Sequence, residues 1–246
     1  MTIAIADLEH AAAGGWRAPD QAALGGWLLR SADGFTGRAN SALAVGDPGL
    51  PLADAIDEVG RWYRAHSRPA MVSVPFPLGR PHASEVDRFL ADRGWPVSHG
   101  AIVMTAAAVP AGPADIPVDL TDEPDEGWLS LYRPRGRPPP PMARRLLMSA
   151  PWQAFASVRQ AGHVAAIGRV AAAGGWAGLT AIEVHPRHRR RGLGLAITAA
   201  LAVAASARGV TGFYLQVEDD NAAARALYCR LGFADHHAYH YRVMPR

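Results

Sequence analysis

The chain has 246 residues, 49% apolar and 19% charged. That is the balance of a folded globular protein, with room for one large domain or two of roughly 120 residues, and it excludes a disordered, fibrous or collagen-like chain. The formal charge is +3, yet all 25 basic residues are arginine; with so much Ala, Gly and Pro beside them, this reads as a coding bias, and no nucleic-acid partner is expected.

Cys229 is the only cysteine, which excludes an intramolecular disulfide and a cysteine-built metal site and fits a reducing cytoplasm. The N-terminus carries Asp7, Glu9 and His10 where a secretory signal would be apolar. The longest apolar run, 193–207, is shorter than the roughly 20 residues of a membrane span and reads as a buried core helix. A cytoplasmic protein without membrane attachment is expected.

In chain order, apolar stretches at 27–30 and 35–45 read as strands meeting at Asp33-Gly34, a pair that tolerates positive φ. Residues 51–66 have helical spacing, 70–75 form a short strand, 83–94 a helix with Gly94 suited to the C-cap, and 100–107 another strand. The segment 109–117, rich in Pro, Gly and Ala, is the expected linker between a domain at 1–108 and one at 118–246. The second half begins at 118–121, with helices near 124–133 and 142–150 on either side of the proline-rich 134–141. Strands follow at 153–160 and 163–173, joined at Ala161-Gly162, and at 177–184. Then come a long helix (193–208), a strand (212–218), a helix (221–232) and a last strand near 236–243. Antiparallel strands followed by strand-helix-strand-helix-strand indicate an α/β fold, a mixed and mostly antiparallel sheet flanked by helices. The halves also echo each other, since 88–95 and 225–233 are both helix ends closing on Gly plus an aromatic residue.

The informative stretch is 182–196. A strand ends at Val184, Pro186 stops it, and a loop containing Gly192 and Gly194 opens the long apolar helix. Unpartnered N–H groups at a helix start favour an anion, glycines let backbone approach it closely, and Arg189, Arg190 and Arg191 add positive charge. The sequence G-x-x-x-x-G-K-[ST] is absent, and Ile197 occupies the position where the dinucleotide pattern G-x-G-x-x-G needs a small residue. What remains is V-x-P-x-x-R-x-x-G-x-G.

That pattern, carried by Val184, Pro186, Arg189, Gly192 and Gly194, resembles the signature loop of the GNAT superfamily of acyl-CoA-dependent N-acetyltransferases. The later helix 221–233, with Asn221 and with Tyr228 before Gly-Phe, is similar to a second motif of that family. The resemblance covers about 117–246. It implies acetyl-CoA as co-substrate, with the pyrophosphate held by Arg189, Arg190, Arg191, Gly192, Leu193, Gly194 and Leu195. It also implies backbone of Ile182 and Val184 at the acetyl group, Asn221 on the coenzyme arm, and Tyr228 as the acid that protonates the leaving thiolate. The reaction implied is direct acetyl transfer to a primary amine of a small molecule or peptide, by a monomer or homodimer, with no metal; a coenzyme-binding sensor without catalysis is the alternative.

An ammonium has no lone pair, so a route for its proton is needed. Glu183 is the first candidate, because a partly buried carboxyl can have a raised pKa. The His-rich strand 236–242 is the second, with His236, His237 and His240 alternating with Tyr239 and Tyr241 so that one set is expected to face outward. The halves together resemble a tandem GNAT plan, like that of mycothiol synthase. In the first half, 45–55 lacks the Arg-x-x-Gly-x-Gly arrangement and Leu90 aligns with Tyr228, so that half is expected to bind no acetyl-CoA. Its aromatic residues Trp27, Phe35, Trp62, Tyr63 and Trp95 read as core.

Overall fold

The computed structural model describes residues 3–245. The first half runs α1 (Ile5–Gly15), β1 (Asp20–Leu24), β2 (Trp27–Ser31), β3 (Ala42–Leu43), α2 (Leu52–Ala65), β4 (Met71–Phe76), α3 (Glu85–Asp92) and β5 (Val97–Ala106). The second runs β6 (Asp119–Thr121), α4 (Glu126–Leu131), α5 (Met142–Leu147), β7 (Trp152–Gln160), β8 (His163–Ala173), β9 (Trp176–Val184), α6 (Leu193–Ser206), β10 (Gly212–Glu218), α7 (Ala222–Arg230) and β11 (Ala234–Val243). These strands form one sheet in the order β1-β2-β3-β4-β11-β5-β10-β9-β8-β7-β6. Only β3–β4 and β9–β10 pair in parallel, so the sheet is mixed and mostly antiparallel.

The two halves follow one plan: an antiparallel run, a helix, a parallel return strand, a second helix and a last strand. Those last strands are exchanged. β11 lies between β4 and β5, and β5 lies between β11 and β10, all antiparallel.

Alternation along the strands sorts the core by face. On one face Leu193, Ile197 and Leu201 of α6 pack on Ala154, Ala156, Val158 and Val170, while Ile56, Val59 and Leu90 of α2 and α3 pack on Leu29, Val72 and Val74. On the other face Trp128, Leu146 and Leu147 of α4 and α5 cover Phe155 and Ile167, and Leu8 of α1 lies with Tyr214, Tyr239 and Tyr241. α6 is the buried core helix its apolar run suggested, Val203 excepted at 70% exposure. Arg169, 1% exposed, ties two helix ends to β8: its Nε donates to Leu147 O at 2.7 Å and its Nη2 to Gly15 O at 3.1 Å. A cation is favoured there because helix C-termini present unpartnered carbonyls.

The exchanged strand β11 is fastened by a buried carboxylate. Asp87 on α3 accepts from His240 Nε2 (2.6 Å), Arg242 Nε (2.8 Å) and Arg242 Nη2 (3.2 Å), and bonds His82 Nδ1 (2.7 Å). Burial pushes its pKa up, but the hydrogen bonds from Arg242, His240 and His82 outweigh that and hold it well below the usual carboxylate range.

Three expectations are corrected. Asp33 and Gly34 do take positive φ, but 35–45 is not a strand: a 3₁₀ turn occupies Gly37–Ala39 and β3 is only two residues long. The true hairpin joins β1 to β2 through Gly25-Gly26. Helix α1 had not been expected, because its Ala- and Gly-rich sequence has little periodic contrast. The histidine strand has no outward set, since Tyr239, Tyr241, His237 and His240 are all buried.

β9 and β10 pair only from Trp176↔Gly212 to Gly178↔Tyr214, although β9 continues to Val184 and β10 to Glu218. β5 explains the parting. It holds β10 along Phe213–Glu218, while β9 follows β8 through a bulge in which Ala181 takes φ +53°. The Tyr214 ring lies against Gly178 so closely that a Cβ there would overlap it.

Asp87→Asn should lower stability by about 3–5 kcal/mol in chemical denaturation, because it leaves a buried guanidinium unpaired. The carboxylate's contribution is fully present above the unfolded-state pKa of about 4 and is lost as pH falls through the lower folded value, so the variant's stability should respond less to acid than the wild type's below about pH 4. Gly178→Val should destabilise by about 1–3 kcal/mol through overpacking against Tyr214, read in the same experiment.

Candidate active site

The loop after β9 is built as its residue types require. Pro186–His188 form a 3₁₀ turn, Arg189 Nε donates to Val184 O at 3.4 Å, and Arg190 takes φ +62°. Arg191 Nη1 donates to Gln160 Oε1 at 3.1 Å. Gly192 is the N-cap of α6 with φ +78°, a conformation in which any side chain is strained, so glycine is needed there. The three arginines and Gly192 are exposed. Leu193 is buried at 2% and Leu195 packs partly against the core, so these two offer the loop only their backbone. The first N–H groups of this 14-residue helix lack intrahelical partners, and with three guanidinium groups beside them they have the chemistry to attract an anion.

The corresponding loop of the first half, between β3 and α2, is filled. Asp47 O accepts from Gly26 N at 2.6 Å, Gly46 O accepts from Trp27 Nε1 at 3.1 Å, and Pro48 backbone presses on Gly25. No arginine stands in it, and α2 begins at Pro51 as N-cap.

Where β9 and β10 part lies a cavity of about 840 Å³ with lining residues from both faces of the sheet. Leu179, Ile182, Leu215, Val217 and Tyr228 line it from the α6 face; Phe35, Arg38, Tyr132, Glu183, Tyr239 and Tyr241 line it from the α1 and α4 face. Arg133 N donates to both Glu183 carboxylate oxygens at 3.1 and 3.2 Å, and burial raises the pKa of that carboxyl against the opposing effect of Arg133. Tyr228 stands edge-on to Phe233, ring centres 5.9 Å apart, and burial pushes its hydroxyl up to about 12. Asn221 is the N-cap of α7, its Oδ1 accepting from Ala224 N at 3.0 Å, and it lines the same cavity.

The structure therefore brings Ile182, Glu183, Asn221 and Tyr228 to one cavity. Val184 lies beyond it, packed on the core, and 189–195 form the helix start further along. The histidines stand elsewhere: His240 bonds Asp87, and His237 Nε2 bonds Glu9 Oε1 at 2.8 Å. Among the described residues no group of three or more His, Cys, Asp or Glu side chains is placed to hold a metal, and no helix is long and apolar enough to cross a membrane.

Sequence reading missed the wall supplied by the first half. Phe35 is buried at 8%, as expected of core, yet it also faces the cavity. Arg38 and His99 join it there, beside Tyr239 and Tyr241 of the exchanged strand β11. One signal was present in the glycines at 34 and 37: Gly37 lets its loop lie on Tyr241, whose ring atoms would be 2.8–3.0 Å from a Cβ at that position.

Comparison with known proteins identifies the family and the fold. A family model described as "Probable histone acetyltransferase Rv0428c C-terminal" matches residues 2–242. The probable histone acetyltransferase Rv0428c of Mycobacterium tuberculosis is 32% identical over 249 residues, covering 99% of this chain and 74% of that protein. The uncharacterized N-acetyltransferase YobR of Bacillus subtilis is 28% identical over 253 residues, covering 97% of this chain and 98% of the relative. In fold, the chain is similar to a GCN5-related N-acetyltransferase from Kribbella flavida (TM-score 0.74, 19% identity, 100% of this chain and 97% of that one). A tandem GNAT protein from the clavulanic acid biosynthesis pathway also matches (TM-score 0.64, 16% identity, 83% and 74% covered). The chain belongs to the Rv0428c acetyltransferase family and is an acyltransferase of the GNAT superfamily.

Proposed function

We propose that the protein transfers the acetyl group of acetyl-CoA directly to a primary amine of a small molecule or peptide. In this reading the second half, 118–246, binds the coenzyme, and the first, 1–108, binds none and walls the acceptor side. The observation that carries it is the line from the helix start at Gly192, along the β9 edge that β10 leaves unpaired after Gly178, to a cavity lined from both faces of the sheet. A histone, the acceptor in the name of the M. tuberculosis relative, is one protein that carries such amines.

The helix start and Arg189–Arg191 hold the pyrophosphate. The coenzyme arm runs from the α6 face past Asn221, bringing the thioester to the parted strands, where β9 backbone at Ile182 and Val184 polarises its carbonyl. The amine enters from the opposite face. Glu183, its pKa raised by burial, accepts the amine proton directly or through water. The amine nitrogen bonds the carbonyl carbon, the carbon–sulfur bond breaks, and Tyr228 donates its proton to the thiolate. A phenol near 12 is a weak acid, but the burial that raises it disfavours the thiolate in the same place, so the proton moves as the sulfur charge develops. Acid and base stand on opposite faces of the sheet, one beside each end of the reaction.

Millimolar acetyl-CoA should raise Tm by several degrees, and Gly192→Glu should remove that shift, since it strains the loop and places a negative charge against the pyrophosphate; no shift in the wild type would overturn the reading. In thiol-release kinetics Tyr228→Phe should lower kcat by about 10²-fold with the acetyl-CoA Kd nearly unchanged. Followed against pH, the same kinetics should show an acid limb above the ordinary glutamate range that disappears in Glu183→Gln, and no alkaline limb from Tyr228 below about pH 10.

A further inference from the structure

Arg38 is a cavity cation without an acid. It belongs to the loop 34–38 of the first half and is half-buried. Its Nη1 donates to Gln216 Oε1 at 2.6 Å, and its guanidinium carbon lies 5.2 Å from the centre of the Trp16 ring. Among the described residues no carboxylate forms an ion pair with it. Glu9 is engaged with His237 and Glu183 with the Arg133 backbone, and Glu218 is a further carboxylate lining the cavity. Nearby, Arg30 is satisfied by Ser41 O and Oγ and Arg169 by two helix-end carbonyls, while the exposed Arg137 lines the cavity as a second cation. On the same wall the buried Thr180 Oγ1 has no hydrogen-bond partner.

A guanidinium drawn out of water without a counter-charge is unfavourable, and a ligand anion that pairs with it restores a charge-assisted hydrogen bond. We propose that the acceptor is an amine that also carries a carboxylate, and that Arg38 pairs with this carboxylate while the amine faces Glu183. This rests on the acetyltransferase reading above. The guanidinium edge left beside Gln216 matches a planar carboxylate in two-point contact. Arg38, Tyr132 and Glu183 line one cavity, so a molecule seated in it can meet both charges. Thr180 Oγ1 supplies a further hydrogen bond to the same ligand. The first half thus acts in recognition, through a residue that binds substrate but does not move a proton.

The test uses the full chain and matched amines: L-phenylalanine against phenethylamine, L-lysine against cadaverine, and lysine amide as a carboxylate-free amino acid. In the unaltered protein kcat/KM should favour the carboxylate-bearing member by about 10–100-fold. Arg38→Gln should compress that ratio to within a few-fold, and Arg38→Lys should restore part of it; the acetyl-CoA Tm shift checks that each variant is folded. Equal or better use of phenethylamine, cadaverine or lysine amide by the unaltered protein overturns the proposal, whatever the variants do. So does an Arg38→Gln variant that slows both members of a pair equally, or stabilisation by acetyl-CoA with no turnover of either amino acid. Absence of acetyl-CoA binding overturns the acetyltransferase reading instead, and the acceptor class with it.

Discussion

The insertion of β5 between β10 and β11 is the constraint on which the rest of the molecule depends. By pairing with β10 along Phe213–Glu218 it fixes that strand's course, while β9 is carried off by β8 and its bulge at Ala181. Two parallel strands that would otherwise zip together are held apart after three residue pairs. The gap is not a defect of pairing; it is the path by which both faces of the sheet reach one cavity.

The same insertion makes the halves interdependent. β11 leaves its own half and must be held in the other, and Asp87 meets that need by binding His240 and Arg242 with a carboxylate that is fully buried. A buried charge cluster adds little net stability compared with a packed apolar one, but it discriminates strongly against a strand that has slipped or is missing. Arg169 does the corresponding task on the opposite face, where the ends of α1 and α5 converge on one guanidinium. Exchange also brings the loop 34–38 and residues 99–101 of the first half to the cavity. The half whose own anion cradle is filled by Asp47 and Pro48 therefore still forms part of the site.

Charge is distributed across the sheet in keeping with this geometry. Exposed arginines gather at the α6 start, where the helix dipole already favours an anion, while the raised carboxyl of Glu183 and the half-buried guanidinium of Arg38 lie toward the α4 face. A molecule entering from each side meets a different electrostatic surface, and only the apolar throat around Ile182 and Val217 is common to both.

The sequence by itself determined the local chemistry: the helix start at Gly192, the strand end at Val184, the Asn221–Tyr228 face of α7 and the order of elements after residue 118. These depend on φ preferences, capping and periodicity, which act within a few residues and so are written in short windows. That 45–55 lacks the Arg-x-x-Gly-x-Gly arrangement is legible for the same reason. Only the tertiary structure decided that the last strands change places, that α1 closes the back of the cavity region, and that His237 and His240 bind Glu9 and Asp87 rather than substrate. It also decided that Phe35, Arg38, Tyr239 and Tyr241 face the throat. Strand exchange depends on pairing between residues more than a hundred positions apart, and two halves with the same alternation are equally compatible with keeping or trading their final strands. The burial of both sides of β11 follows from helices packed on each face of it, which no alternation within the strand can specify.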